Sequence, residues 1–186
     1  MFYKRTARLQ AALTSAMNRR IWDLIGILVV VACLTGLGIE AQAETMTCRT
    51  AGVLMKFESM PVAEVGHALV MGEREGLAFF ENGEIAVFKS QNTSDSTIGG
   101  GFKSDGYMFF RFDDGSSIVT TFSQQATPEP GGKYSSKMMG EILKGTGRFD
   151  AIKGSLTMTS KRFADVKGEA NKSSTNITFT YTLPSR

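Results

Sequence analysis

The run Leu77-Ala-Phe-Phe-Glu-Asn-Gly-Glu-Ile-Ala-Val-Phe88 reads as a β-hairpin. Its tip, Asn82-Gly83, tolerates the positive φ angles of a type I′ turn, whose twist matches that of two antiparallel strands. A two-residue loop there sets Phe80 opposite Ile85 and Ala78 opposite Val87, giving the expected hairpin one apolar face to bury.

The chain on either side has the same character. Tyr107-Met-Phe-Phe-Arg-Phe-Asp-Asp-Gly-Ser-Ser-Ile-Val-Thr-Thr-Phe122 is a second hairpin, turned by Asp114-Gly115, with large apolar groups on both faces, as expected of a well-covered central pair. Arg49 to Phe57 and Val65 to Met71 are expected strands before the first hairpin, and Lys153 to Lys161 follows the second. The closing run Ile177 to Leu183 alternates strictly: Ile177, Phe179, Tyr181 and Leu183 share one face and three Thr the other. Polar, Gly- or Pro-bearing stretches at Gln91 to Gly101, Ala126 to Ser136 and Asp165 to Ser173 read as breaks. Capped helical periodicity is absent from residues 44–186, as is any repeat of solenoid length. Eight short strands with polar breaks predict an all-β fold, an antiparallel barrel or sandwich.

Gly145-Thr-Gly-Arg-Phe149-Asp-Ala-Ile-Lys-Gly154 narrows that choice. It resembles the Gly-Thr/Ser-Gly-x-Phe-x-x-x-x-Gly stretch of the allene oxide cyclase-like barrels, and the dirigent proteins share a similar stretch. The Asp114-Gly-Ser116 turn upstream, the Lys-Gly-Ser-Leu-Thr strand after the motif and the Thr-Tyr-Thr-Leu end agree with that layout. The resemblance implies an eight-stranded antiparallel calycin-type barrel, often trimeric in the plant cyclases. Gly145 and Gly147 would let the chain turn sharply, Phe149 would plug the barrel floor, and Gly154 would permit a close strand approach. The cyclases work through a glutamate, asparagines and a proline, and no local pattern here fixes which residues would match them.

Ahead of this domain, residues 1–43 have the order of a secretory signal. Lys4, Arg5, Arg8, Arg19 and Arg20 form a basic start, Leu24 to Ile39 is uncharged, and Ala41-Gln42-Ala43 supplies the small-x-small cleavage pattern. The uncharged stretch falls short of the ~20 residues that span a bilayer comfortably. Two other readings stay open: a lipoprotein modified at Cys33 in Val30-Val31-Ala32-Cys33, and an uncleaved anchor, with Arg19-Arg20 hinting at twin-arginine export. The expected location is periplasmic or secreted, with membrane contact only through the N-terminal segment if it is retained or lipidated.

Charge changes with the leader. The full 186-residue chain has 21 basic and 18 acidic residues, 42% apolar and 21% charged. Residues 44–186 keep 16 of each sign, so no basic stripe argues for nucleic acid. The only Trp, Trp22, and one of the two Cys, Cys33, belong to the leader. Two Cys and one His exclude a four-thiolate zinc site and a multi-histidine metal site, so neither metal nor cofactor is expected. Gly99-Gly100-Gly101 lacks the following helix and Lys-Ser/Thr pair of a phosphate loop, and Asp113-Asp114-Gly115 lacks the later ligands of a calcium loop.

Few residues remain that could carry chemistry. His67, in Val65-Gly-His-Ala-Leu-Val-Met71, is a weak catalytic candidate that could exchange a proton with Glu64 or Glu84 if it faced the lumen; an ordinary strand histidine explains it as well. Cys48 has only His67 as an imidazole partner and reads as a buried thiol, or as a link between chains in an oxidising compartment. Met108, Phe110, Phe112, Met158, Phe179 and Tyr181, with Met138 and Met139, are candidates to line a lumen. Eight-stranded barrels either fill with side chains or hold one small ligand. Three roles therefore stay open: a binding module for a small apolar molecule, an isomerase or cyclase acting as a steric template, and a structural barrel without a cavity. A homo-oligomer is compatible with each.

The exported chain is expected to begin at Glu44. An intact mass that retains earlier residues, or lipid on Cys33, would contradict that cleavage.

Overall fold

The computed structural model describes residues 42–62, 64–97, 100–131, 133–162 and 171–184. The signal segment expected over 1–43 lies outside them, apart from Gln42 and Ala43. Eight strands follow in chain order: β1 (Glu44–Pro61), β2 (His67–Phe80), β3 (Ile85–Thr97), β4 (Phe102–Phe112), β5 (Ser117–Glu129), β6 (Lys133–Thr146), β7 (Lys153–Arg162) and β8 (Lys172–Thr182). Each pairs antiparallel with its neighbour, and β1 pairs with β8, so the sheet closes into a barrel in simple sequence order. Closure removes the sheet edges over the paired lengths. The all-β, eight-stranded antiparallel barrel is therefore the observed fold.

The strand composition differs from the expectation. From the expected strand Val65 to Met71, residues His67 to Met71 join the first arm of the 77–88 hairpin in one long strand, β2, and Val65 and Gly66 lie in the turn before it. The count of eight is restored by β6, which runs through Met138-Met139 and which the alternation did not single out. The polar stretch from Gln91 is strand as far as Thr97, because its serines alternate into the barrel. Ala126 to Glu129 and Lys133 to Ser136 are strand as well, while most of 165–173 lies outside the described residues.

The first hairpin is also shifted by one residue. Gly83 N–H donates to the Phe80 carbonyl at 3.0 Å, Phe80 N–H donates to the Glu84 carbonyl at 2.9 Å, and only Gly83 has positive φ (87°). That is a type I turn closed by a glycine bulge, not a type I′ turn. The pairs are Phe79 with Ile85, Ala78 with Ala86 and Leu77 with Val87. Phe80, Ala78, Ala86 and Phe88 face the core, while Leu77, Phe79, Ile85 and Val87 are exposed on the outer wall. The Asp114-Gly115 turn has the same form, with Gly115 N–H on the Phe112 carbonyl and Ser116 N–H on Asp114 Oδ1. Tyr107 and Phe109 in that hairpin are exposed, so its outer face is not the covered one expected.

The core fills the lower half of the barrel, where the 81–84, 113–116 and 147–152 connections lie. Phe88, Phe110, Phe179, Phe80, Phe112 and Phe149 form a chain of ring contacts with successive centroids 5.0–6.4 Å apart. Ile118, Leu156, Ile177 and Met158 complete the packing, each nearly inaccessible to water. The floor is the motif around Phe149. A 3₁₀ turn (Gly147–Phe149) drives the Phe149 ring inward under Phe112. Gly147 sits at φ 64°, and a Cβ on Gly145 would stand 2.2 Å from the Phe149 carbonyl oxygen and 2.7 Å from Ile152 Cγ2. Both positions therefore need glycine for the plug to close.

Gly145→Ala is expected to destabilise the domain by about 1–3 kcal/mol, the cost usual for overpacking. Urea denaturation measures it; an unchanged midpoint and slope would show that the plug tolerates a methyl group.

Candidate functional site

The inward positions change character with height. Along β3 they run Phe88, Ser90, Asn92, Ser94, Ser96; along β7, Leu156, Met158, Ser160, Arg162; along β8 from the mouth, Ser173, Thr175, Ile177, Phe179. The apolar lower half is thus continued by an upper half that is polar along β3 and β8, with Leu54, Phe57, Val70, Phe102 and Tyr134 also bordering it. That half encloses a cup of about 260 Å³, open at the end away from the Phe149 plug. Phe88, Met108, Phe122 and Met138 make its apolar base, and Ser90, Ser136, Ser160 and Thr175 ring its wall.

The wall is ordered by its own hydrogen bonds. Asn92 Nδ2 donates to Ser94 Oγ (2.8 Å) and Ser104 Oγ (2.9 Å), Gln124 Nε2 donates to Ser136 Oγ (2.8 Å), and Thr175 Oγ1 donates to Ser160 Oγ (3.0 Å). Two guanidiniums stand near the mouth. Arg74 Nη2 donates to Asn171 Oδ1 at 3.0 Å, and Arg162 lies 5.5 Å from the centroid of the Tyr134 ring, which packs on Phe102. Among the described residues, the lining contains no Asp, Glu, His or Cys.

Of the expected lining residues, only Met108 borders the cup, joined there by Met138. Phe110, Phe112, Met158, Phe179 and Tyr181 lie in the packed lower half, and Met139 points out into solvent. The physical reason is the ring chain, which occupies the space those side chains would otherwise border. The polar members were missed because Ser-rich alternation reads as a loop; the signal was the period of two through Ser90, Asn92, Ser94 and Ser96.

His67 is not in the lumen. It is the first residue of β2, on the outer wall near the mouth, with Nε2 against Asp95 Oδ1 and Nδ1 3.8 Å from Glu64 Oε2. Glu84 lies at the opposite end of the barrel, so the proton exchange considered between them has no geometry. Cys48 points inward and is buried; burial pushes its thiol up to about 12, which leaves no thiolate for nucleophilic work near neutrality. Burial also removes it from reach of a second chain's thiol.

Gly145, Gly147, Phe149 and Gly154 belong to the floor. A Cβ on Gly154 would lie 2.1 Å from the Thr180 carbonyl oxygen, so β7 and β8 meet closely there. Arg148 clamps the floor from outside. Its guanidinium lies 4.7 Å from the Phe112 ring and 4.8 Å from the Phe149 ring, while Nη1 meets Glu84 Oε1 at 2.5 Å and Asp114 Oδ2 at 3.6 Å. The bond from Arg148, with a second from Asn82, holds the Glu84 carboxyl below its ordinary 4.5. Hydrogen bonds from Ser116, and then Arg148, lower Asp114 below its ordinary 3.8. Tyr181 donates to Glu44 Oε2 at 2.9 Å; burial first, and that carboxylate second, push its phenol up to about 12.

No family model matches the chain, and no curated protein matches its sequence. Among solved structures, it is similar to two pterocarpan synthase dirigent proteins. With GePTS1 it shares 13% identity over 77% of this chain and 92% of that one, at a TM-score of 0.46. With PsPTS1 it shares 13% identity over 77% and 97%, at a TM-score of 0.40. The likeness is one of barrel layout, and it transfers no residue role or activity to this chain.

The lowered carboxylates give the floor clamp a pH dependence. Their contribution is complete above the ordinary carboxylate range and is lost as the pH falls through the lowered folded values. Arg148→Met should therefore melt below the wild type at neutral pH, with the gap closing on acidification below about pH 4. A gap that is constant with pH would mean that the arginine acts by ring packing alone.

Proposed function

We propose that this chain is an exported binding protein that takes a small amphipathic molecule into the upper cup of its barrel. The observation behind this reading is the division of the lumen. Below, a continuous chain of phenylalanine rings leaves no room; above, a walled space of about 260 Å³ has an apolar base and a polar, ordered wall. That volume sits just under the roughly 300–1,000 Å³ usual for drug-sized ligands, so the ligand is small. Its apolar part would rest on Met108, Met138 and Phe88. Its polar or anionic part would meet the serine hydroxyls and the two guanidiniums at the mouth.

The same lining argues for binding over acid–base chemistry. A proton-handling template needs a carboxylate or imidazole within reach of the ligand, and the described lining offers hydroxyls, amides, guanidiniums and one phenol. The purely apolar ligand expected from the sequence gives way to an amphipathic one, because hydroxyls and amides of the wall stand above an apolar base.

Native mass spectrometry of the full chain, taken gently from the compartment in which it matures, tests this. The wild type should carry extra mass that is lost on denaturation, and Ser94→Trp, which puts an indole into the mouth, should carry none. A clean apo mass for the wild type, or the same adduct on both proteins, would overturn the reading.

A further inference from the structure

The outer wall of this barrel divides by charge. On the β2–β3 side the outward lysines are already paired: Lys56 meets Glu58 at 2.8 Å, and Lys89 meets Glu73 at 2.7 Å and Glu75 at 2.9 Å. On the far side, β7 and β8 turn hydroxyls and amides outward, the polar face usual for a solvated antiparallel sheet. Three cations stand among them. Strand register sets Lys137, Thr159, Asn176 and Arg49 in one row across β6, β7, β8 and β1, with Lys161 one outward step nearer the mouth on β7. Long side chains at the flanks and short ones between them leave a groove of about 650 Å³ on the outer face.

These three charges have no local counter-charge. Among the described residues, no Asp or Glu lines the groove and none forms an ion pair with Arg49, Lys137 or Lys161. Arg49 donates from Nε to Ser174 Oγ at 3.0 Å, a neutral partner that ties the guanidinium to β8 and leaves its charge uncompensated. The carboxylates that β5–β8 do carry are Glu129, opposite Lys133, and Glu141. Each lies four positions along β6 from the level of Lys137, roughly 13 Å at the usual strand rise and beyond the Debye length of physiological salt. Residues 44–186 have 16 charges of each sign, so the positive field here comes from segregation and not from net charge.

We propose that this groove binds an acidic polysaccharide, a chain of sugars that bears sulfate or carboxylate groups. Charge complementarity selects an anion. The layout selects a chain: Lys137 and Arg49 are three interstrand steps apart, roughly 14 Å at the backbone, and Lys161 lies to one side of that row. Cations spread along a line suit several anionic groups on one molecule better than a single compact ion. The lining between them selects sugar, because Thr159, Ser174 and Asn176 offer donors and acceptors for its hydroxyls. No aromatic side chain lines the groove for a nucleobase to stack on, and no large apolar one to enter a bilayer. The groove is outside the lumen, so its binding is independent of what the cup holds.

Binding to immobilised dextran sulfate tests this, on the chain taken from the compartment in which it matures, with uncharged dextran, phosphatidylglycerol vesicles and oligothymidylate as the other surfaces. The wild type should hold dextran sulfate and not dextran, and should weaken at least about tenfold between about 50 and 200 mM salt, as counterions return to the polyanion. Lys137→Glu combined with Lys161→Glu should weaken it at least about tenfold at fixed salt. Lys144→Glu combined with Lys153→Glu, the same charge change on the same two strands below the groove, should leave it unchanged. All four lysines are exposed, so far-UV circular dichroism should show the same strand content in both proteins. Arg49→Gln, which should weaken binding about threefold or more, is read in place of the double reversal should that one misfold. A wild type that ignores dextran sulfate overturns the proposal, as does binding that survives the groove variants or is lost equally with the matched pair below. Tighter binding to the vesicles or to oligothymidylate, lost in the same groove variants, overturns it as well.

Discussion

Phe110 on β4 and Phe179 on β8 meet edge to face across the lumen, with centroids 5.4 Å apart and neither ring open to water. An eight-stranded barrel is just wide enough for such a contact, and its inward side chains must either fill the space or leave it to water. This contact ties opposite walls together and is one link of a ring chain from Phe88 to Phe149. Its ring geometries add about 0.5–1.5 kcal/mol per pair beyond area burial. Below it the lumen is packed to the plug; above it, Met108 and Met138 end the apolar layer and the serines begin. The division between core and cup therefore follows from where the phenylalanines stop along each strand.

Strand alternation carries that division outward. Each inward residue has outward neighbours, and at Leu77, Phe79, Ile85, Val87 and Phe109 these are also apolar, so the same hairpins carry apolar groups on both faces. The polar wall of β7 and β8 shows that a closed barrel does not need an apolar exterior. The motif at Gly145–Gly154 acts at the other end of the structure. It lets a 3₁₀ turn insert Phe149 as a stopper and places Arg148 over two rings with carboxylates on its far side. Access to the lumen is thereby left to the end at which Arg74, Arg162 and Tyr134 stand.

The sequence carried the fold class well and the site poorly, for physical reasons. Alternation in Ile177 to Leu183, the glycine turns at Gly83 and Gly115 and the Gly-Thr-Gly-Arg-Phe stretch are local signals, and each led to the right kind of element. Register is less local. One glycine bulge at Gly83 moved Ile85 and Val87 from the expected inner face to the outer wall. β6 escaped notice because Met138-Met139 breaks the visual alternation, although only Met138 points inward. The serines of β3 read as a loop in the sequence because hydroxyl side chains in strands look like turn chemistry until the barrel around them is known. Residue type alone points to His67 and to an aromatic lining, whereas height along the strand decides which side chains border space.

The two-part lumen is the centre of this account, and a high-resolution crystal structure of the mature protein, with its ordered waters located, tests it most directly. The account predicts waters bonded to the Ser90, Ser136, Ser160 and Thr175 hydroxyls above Met108, and none between Phe110, Phe179 and Phe149. Waters or open space reaching the Phe149 plug, or apolar side chains folded up into the cup, would contradict it.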